Sequence, residues 1–506
     1  MDVLPHQKVK SLSDIKEFIQ SVHLRGRRVG LCHGVFDLLH SGHIAHFLAA
    51  KKQVDFLIVS VTSDEFVNKG PGRPLLSNSK RMEFLSQIQC VDFVLLSETL
   101  TAVSVIEELC PDIYFKGSDY AKHDNDTTGQ IISEKNAVER YGGKVHFTDE
   151  ISSSSSKIIA EYFSIHSKEV TQWLKDFKQL FKLEDIFHYL NLLGNLEVDL
   201  IGEIIVDKYS EIDPLSKTSK HPILAFKPVS TACYLGGVLA IADNCAAWIK
   251  KVNVWSISSL ELLNEVEFVY QIPSNVELKI TNSPGVLMAK HRFIDRMTNS
   301  KLFELYEFDP EISYNLESED LVSRFKNESQ NAILIADYGH GVITNHVLDY
   351  LKSSDKYLAI NVQSNAGNRG FNSLSKFFKA DFFSANHGEL QVEYRNRNLS
   401  LEVIIPKLMK DLCCSSALVT QGELGMKLFK ENESHETPAF ASKVKDRVGA
   451  GDSVFAIASL LNYVGAPTPI IGFVSNLVAA HEIQEVGHRN ALTLGDIKKQ
   501  IKAILA

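Results

Sequence analysis

The stretch that most constrains how this chain can fold runs from Val29 to His43. The apolar run Val29-Gly30-Leu31-Cys32 predicts a strand, and Gly34-Val35-Phe36-Asp37-Leu38-Leu39-His40-Ser41-Gly42-His43 predicts its end, a tight turn and a helix start. His40 and His43, three apart, are expected on one helical face. A helix start offers unpaired N–H groups and the positive end of a dipole, while neighbouring imidazoles donate hydrogen bonds to oxygens that gain charge. Gly34 and Gly42 let backbone and ligand come close. Together these are the parts of a polyphosphate site.

The surrounding first half reads as a parallel sheet covered by helices. Apolar runs at Phe56 to Val61, Phe93 to Leu96 and Ile113 to Phe115 alternate with helical patterns at Lys80 to Gln89 and Ala102 to Leu109. In such a sheet, ligands bind at the carboxyl ends of the strands, where the Gly34 to His43 turn would lie. Three later stretches suit the same site. Gly70-Pro71-Gly72-Arg73-Pro74 is a loop bearing a cation, followed by Lys80-Arg81 at a helix start; Lys116-Gly117-Ser118-Asp119-Tyr120 ends a strand; and Ser152 to Ser156 precede Lys157-Ile158-Ile159.

The pattern Gly-x-Phe-Asp-x-x-His-x-Gly-His resembles the signature of the cytidylyltransferase-like nucleotidyltransferases. Over about residues 28 to 160 the ordered set resembles the adenylyltransferase half of the bacterial bifunctional heptose kinase/adenylyltransferase family, with Ser118 for a second Gly and Ser155-Ser156 for two Thr. The resemblance implies that His40 and His43 are catalytic and that a nucleoside triphosphate meets Gly34, Phe36, Asp37, Ser154 and Ser155. It makes Arg81 and Lys116 charge partners. A sugar-phosphate oxygen would attack the α-phosphorus and expel pyrophosphate, with Mg²⁺ accompanying the triphosphate. ATP is the expected nucleotide, and CTP stays open.

Residues 164–193 carry Lys, Phe, Leu and Asp at helical spacing and read as a connector between a first domain, 1–163, and a second, 194–506. The second opens on the strand Val198 to Glu203. Near its end, Asp446-Arg447-Val448-Gly449-Ala450-Gly451-Asp452-Ser453 puts a Gly-Ala-Gly turn before an apolar helix, where backbone N–H groups can face an anion and Asp452 can take a proton from a hydroxyl.

That segment resembles the signature of the ribokinase-like (PfkB) sugar kinases. Asp337-Tyr338-Gly339-His340-Gly341, the pair Asn386 and Glu389, and Thr420-Gln421-Gly422-Glu423-Leu424-Gly425 follow the family's order, with His340 in place of a Lys. The resemblance implies Asp452 as base, Gly449, Ala450 and Gly451 as anion hole, and Asn386, Glu389, Thr420, Gly422 and Gly425 on the nucleotide side. Asp207, Gly236, Gly237 and Asn244 fall on the sugar side. There the pattern departs: Ala240 stands for an Asn, Glu203 for an Asp, and Asn361-Val362-Gln363 for the Asp-Pro-Lys of the heptose kinases. A pocket that changes its hydrogen-bonding groups changes its ligand.

A chain of 506 residues is long enough for two cores, and a net charge of -9 argues against a general nucleic-acid surface. The seven cysteines are scattered and lack CxxC spacing, which suggests neither a disulfide framework nor a zinc site, and no metal-ligand set is identified. Asn462, Pro467, Pro469 and Asn476 interrupt the apolar stretch Ala456 to Ala480, which disfavours a membrane span. The expectation is therefore a cytoplasmic α/β enzyme with a Rossmann-like first domain and a ribokinase-like second. Its partners would be a sugar phosphate and a nucleoside triphosphate, with no nucleic acid or membrane, and a homo-oligomer is left open. Two alternatives are a transferase with a non-catalytic, sugar-binding or regulatory kinase-like domain, and a cytidylyltransferase acting on a polyol phosphate.

Overall fold

The computed structural model describes residues 5–99, 101–117, 130–148, 167–217, 221, 223–285, 287–308, 314–328, 330–431, 433–441, 444–484, 487–488 and 491–505. Contacts divide the chain into two units, Met1–Lys168 together with Gly495–Ala506, and Glu169–Leu494.

In the first unit, strands β1 (Val29–Gly34), β2 (Phe56–Thr62), β3 (Phe93–Ser97), β4 (Ile113–Gly117) and β5 (Lys144–Thr148) form one sheet in the order β3-β2-β1-β4-β5, and every pair is parallel. The strands are apolar on both faces because helices cover both. Leu31, Ile58, Leu95 and Tyr114 pack on one side with Ile15, Ile19, Ile106 and Val138, from the helices Leu12–His23, Val103–Leu109 and Gln130–Arg140. Their strand neighbours Cys32, Leu57, Val59, Val94 and Phe115 pack on the other with Phe47 and Leu85, from Ser41–Lys51 and Asn78–Ser86. The chain reverses its direction of travel across the sheet between β1 and β4. That switch leaves a crevice at the carboxyl ends of the strands.

In the second unit, β6 (Glu197–Gly202), β9 (Lys251–Ser258), β10 (Val276–Asn282), β13 (Ala332–Asp337), β14 (Tyr357–Val362), β15 (Phe382–Asn386), β16 (Ser416–Thr420), β17 (Met426–Lys430) and β18 (Glu433–Thr437) build a nine-stranded sheet. Its order is β10-β9-β6-β13-β14-β15-β16-β17-β18, parallel up to β16 and antiparallel beyond. A second sheet of four strands has the order β12-β11-β7-β8, from β7 (Ile204–Lys217), β8 (Leu224–Gly237), β11 (Met288–Asp295) and β12 (Ser300–Glu307). Both units are α/β, as the sequence predicts.

The residues expected to connect the domains include two helices, Lys168–Leu180 and Leu183–Leu193. The first packs within the second unit: Trp173 stacks on Phe473 with ring centroids 6.1 Å apart and donates its indole N–H to the Glu436 carbonyl at 2.8 Å. The helix Leu494–Leu505, expected in the second domain, falls with the first unit from Gly495 onward. No helix among the described residues is long and apolar enough to cross a membrane.

Candidate active sites

At the end of β1 the backbone turns through Phe36, whose φ is 51°, into the helix Ser41–Lys51. His40 does not lie inside that helix, as the spacing predicted, but caps it: its backbone is extended and its Nδ1 accepts the Gly42 N–H at 3.1 Å. An Nδ1 that accepts leaves the ring proton on Nε2. The two imidazoles still meet, stacked with centroids 3.9 Å apart, and the edge of Phe36 closes on His43 at 5.3 Å. His43 Nδ1 is buried with no hydrogen-bond partner among the described residues. Burial, and then the neighbouring His40, hold the His43 imidazole down at about 3, and burial also lowers His40. At neutral pH the pair is uncharged, so it offers N–H donors rather than two cations.

Asp37, expected to meet the triphosphate, and Arg81, expected as a charge partner, are both engaged within the protein. Asp37 is buried, pairs with Arg73 Nε at 2.5 Å and accepts the backbone N–H groups of Leu75 and Leu76 at 2.7 and 3.1 Å. Arg81 is 0% exposed, and its guanidinium is spent on the carbonyls of Val35, Leu76 and Thr62 and on Asp64. Both hold the turn and the loop that follows β2 in place, and neither presents a free charge. Lys116 ends β4 and pairs with the buried Glu134 at 2.9 Å. Ser154 and Ser155, like Ser118 to Tyr120, lie outside the described residues. Lys69, which the sequence reading passed over, lies near enough to His43 to disfavour its protonation. Only its place before Gly70 hinted at it.

In the second unit the predicted residues gather at the carboxyl ends of β6, β13, β14, β15 and β16. Asp452 sits in the first turn of the helix Ala450–Tyr463, whose N-cap, Gly449, has φ 86°. One carboxylate oxygen, Oδ1, accepts the Tyr338 hydroxyl at 2.8 Å and the Gln363 side-chain N–H. Both bonds fall on Oδ1. Burial pushes the Asp452 carboxyl up to about 6 against the pull of those two donors and of Lys290. Lys290, on β11, lies 5.6 Å from the Tyr338 ring and 5.8 Å from that of Tyr306. His340, where the resemblance puts a Lys, is driven by burial to about 4 and is uncharged.

The nucleotide-side residues are linked to one another. Asn386 caps the helix His387–Glu393, Glu389 accepts the N–H groups of Asn386 and Ser364 at 2.9 and 3.0 Å, and Asn386 Nδ2 reaches Thr420 Oγ1 at 3.3 Å. Gly422 and Gly425, with φ 60° and 91°, flank the short turn after β16. Asp446 braces the other side, bonded to Lys301 at 2.6 Å and to the Val448 N–H at 3.1 Å.

Residues 31–161 match the cytidylyltransferase-like family, and residues 303–493 match the pfkB family of carbohydrate kinases. The chain joins a cytidylyltransferase-like domain to a pfkB carbohydrate kinase domain. Over the transferase part it is 33% identical across 156 residues to the bifunctional protein HldE of Syntrophotalea carbinolica, covering 30% of each chain. It is 39% identical across 134 residues to that of Hydrogenovibrio crunogenus, covering 26% of this chain and 28% of the relative. The match thus spans about 30% of the length of these curated relatives. Similar solved structures include phosphofructokinase-2 from Escherichia coli, at 10% identity and a TM-score of 0.48 over 61% of this chain and 99% of that one. A nucleoside kinase from Methanocaldococcus jannaschii aligns at 15% identity and a TM-score of 0.45, covering 62% and 99%.

On the acceptor side of the kinase domain one expectation changes. Asn244 is 2% exposed and donates to the Ala240 carbonyl of its own helix at 2.9 Å, so it serves the helix and reaches no ligand. Glu203 is fully buried and accepts the N–H groups of Tyr338, His340 and Val342 at 2.9, 3.0 and 3.4 Å. It ties down the Tyr338 turn. Asp207 is paired with Arg292 at 2.6 Å and leans over Gly236, where an added Cβ would come within 2.8 Å of its carboxylate. Gly237 follows as N-cap of the helix Val238–Ala246.

Proposed function

We propose that this chain is a bifunctional enzyme of nucleotide-sugar synthesis. The transferase domain would move a nucleotidyl group from ATP or CTP to a sugar phosphate: the phosphate oxygen forms a bond to the α-phosphorus, the α–β bridging bond breaks, and pyrophosphate leaves. The neutral His40 and His43 would donate N–H groups to oxygens that gain charge in that step, at the start of a helix whose dipole favours the same charge. A residue that stays uncharged in the resting site avoids binding the triphosphate too tightly in its ground state.

The kinase domain would phosphorylate a sugar or sugar phosphate from ATP. Asp452 Oδ2 takes the proton of the attacking hydroxyl, the γ-phosphoryl passes to that oxygen, and the N–H groups of Gly449, Ala450 and Gly451 receive the charge that develops. The observation that carries the kinase reading is the Asp452 carboxylate, held on one oxygen by Tyr338 and Gln363 at a helix start. Among the described residues no three His, Cys, Asp or Glu side chains converge on a metal position. Mg²⁺ would enter as part of the nucleotide substrate. ADP formation across a panel of sugars and sugar phosphates, with Asp452→Asn as control, tests the kinase; turnover that survives the substitution refutes the assigned base.

A further inference from the structure

The helix Leu494–Leu505 follows the kinase domain in sequence, yet from Gly495 onward it belongs to the transferase unit. On its apolar face Ile497 and Ile501 are 0% exposed. Gln500, on the same face, is also buried, and its Nε2 donates to Asn68 Oδ1 at 2.5 Å while its own Oε1 has no partner among the described residues. A helix needed only for packing would carry an apolar residue there, since a half-satisfied amide costs stability. One turn on, Ile504 lies over Gly70, where an added Cβ would come within 3.1 Å of its Cδ1.

Asn68 and Gly70 flank Lys69, the cation that bears on His43. The same loop continues to Arg73, which pairs with Asp37 inside the β1 turn. One set of contacts therefore runs from Gln500 and Ile504, through the loop after β2, to both the Lys69 position and the turn that bears His40 and His43. We infer that Gln500 and Ile504 are positioning residues of the nucleotidyl-transfer site, and that this helix is required to present the Asn68–Arg73 loop to the triphosphate. The inference rests on the reading of the first unit as a nucleotidyltransferase. It implies that residues 1–168 are not a self-sufficient transferase.

The test uses the full chain. Gln500→Met keeps the volume and removes the donor, Ile504→Ala removes the cover over Gly70, and the exchange Asn68→Gln with Gln500→Asn keeps an amide pair of the same combined length. Pyrophosphate release gives KM for the triphosphate and kcat, while ADP formation by the kinase domain and thermal unfolding serve as internal controls. The expected result is a KM about tenfold higher in Gln500→Met, the order of one lost hydrogen bond. A smaller rise is expected in Ile504→Ala, with kinase turnover unchanged and KM restored in the exchange. Unchanged KM in both single variants of an active enzyme overturns the inference alone, and so does a parallel loss of both activities. Absence of pyrophosphate release by the wild-type chain with any nucleotide and sugar phosphate overturns the transferase reading, and the inference with it. Should Gln500→Met not fold, Ile504→Ala and the exchange decide by the same measures.

Discussion

If Asp452 is the base proposed above, burial and its two donors together set the pH at which it can take a proton. Tyr338 and Gln363 both bond Oδ1 and favour the ionised carboxylate, while burial opposes them and brings the group from an ordinary 3.8 to about 6. Removing a donor removes stabilisation of the charged form, so the pKa rises further. A hydrogen bond to a charged group is worth about 1.5–3 kcal/mol, and one pKa unit is about 1.4 kcal/mol, so each deletion should raise the group by about one unit or more. In Tyr338→Phe or Gln363→Met the acidic limb of kcat/KM for phosphorylation should therefore move from about pH 6 to about pH 7 or above. At pH 6 that is about a fivefold loss, since the ionised fraction falls from about a half to about a tenth; above pH 8 activity should recover. Gln363→Lys should move the limb the other way. The assay is ADP formation from pH 5 to 9 at subsaturating acceptor. A limb that stays in place in both deletions, or a loss equal at every pH, refutes the claim that these residues tune the base.

The same carboxylate carries a stability prediction. Its folded pKa lies above its unfolded value, so stability falls as pH rises between 3.8 and about 6, and the full cost of burying the charge, up to about 3 kcal/mol, applies above that range. Asp452→Asn should abolish phosphoryl transfer and raise the denaturation midpoint at pH 8, with little change near pH 4; a lower midpoint at pH 8 contradicts the account. His488 is the opposite case: buried between Glu482 at 2.9 Å and Asp243 at 2.8 Å, its imidazolium is held up to about 10. Its contribution is full below about pH 6.5 and is lost as pH rises towards 10, so the stability gap between wild type and His488→Gln should narrow over that range in pH-resolved thermal melts. Arg73→Met leaves the Asp37 carboxylate buried and unpaired, at a cost of about 3–5 kcal/mol, and should weaken pyrophosphate release more than ADP formation.

Local pattern carried the alternation of strands and helices and the strand, turn and helix of the Val29 to His43 stretch, while the ordered turns from Asp337 to Asp452 were legible only through the family resemblance. The former features depend on near neighbours, and periodicity reports near neighbours. It was silent where chemistry is assembled from distant segments. Arg81 looked like an exposed cation at a helix start but is fully buried, because four acceptors from the surrounding turns converge on it. Gln363 registered only as a departure from a pattern, and nothing near it announces that it meets Asp452, 89 residues away. Lys290 sits in a strand whose neighbours give no hint of Tyr338. Nothing near Gln500 and Ile504 announces that they meet Asn68 and Gly70, more than 400 positions earlier.

The central claim is two independent group transfers on one chain. Its most direct test is product analysis by mass spectrometry of wild type, His43→Ala and Asp452→Asn, each given ATP or CTP with a panel of sugars and sugar phosphates. The account predicts that wild type forms a phosphorylated sugar and a nucleotide sugar. His43→Ala should lose the nucleotide sugar by about a hundredfold or more and keep the kinase product, and Asp452→Asn should do the reverse. Loss of both products in either variant while it remains folded, or a nucleotide sugar still formed at the wild-type rate by His43→Ala, would contradict it.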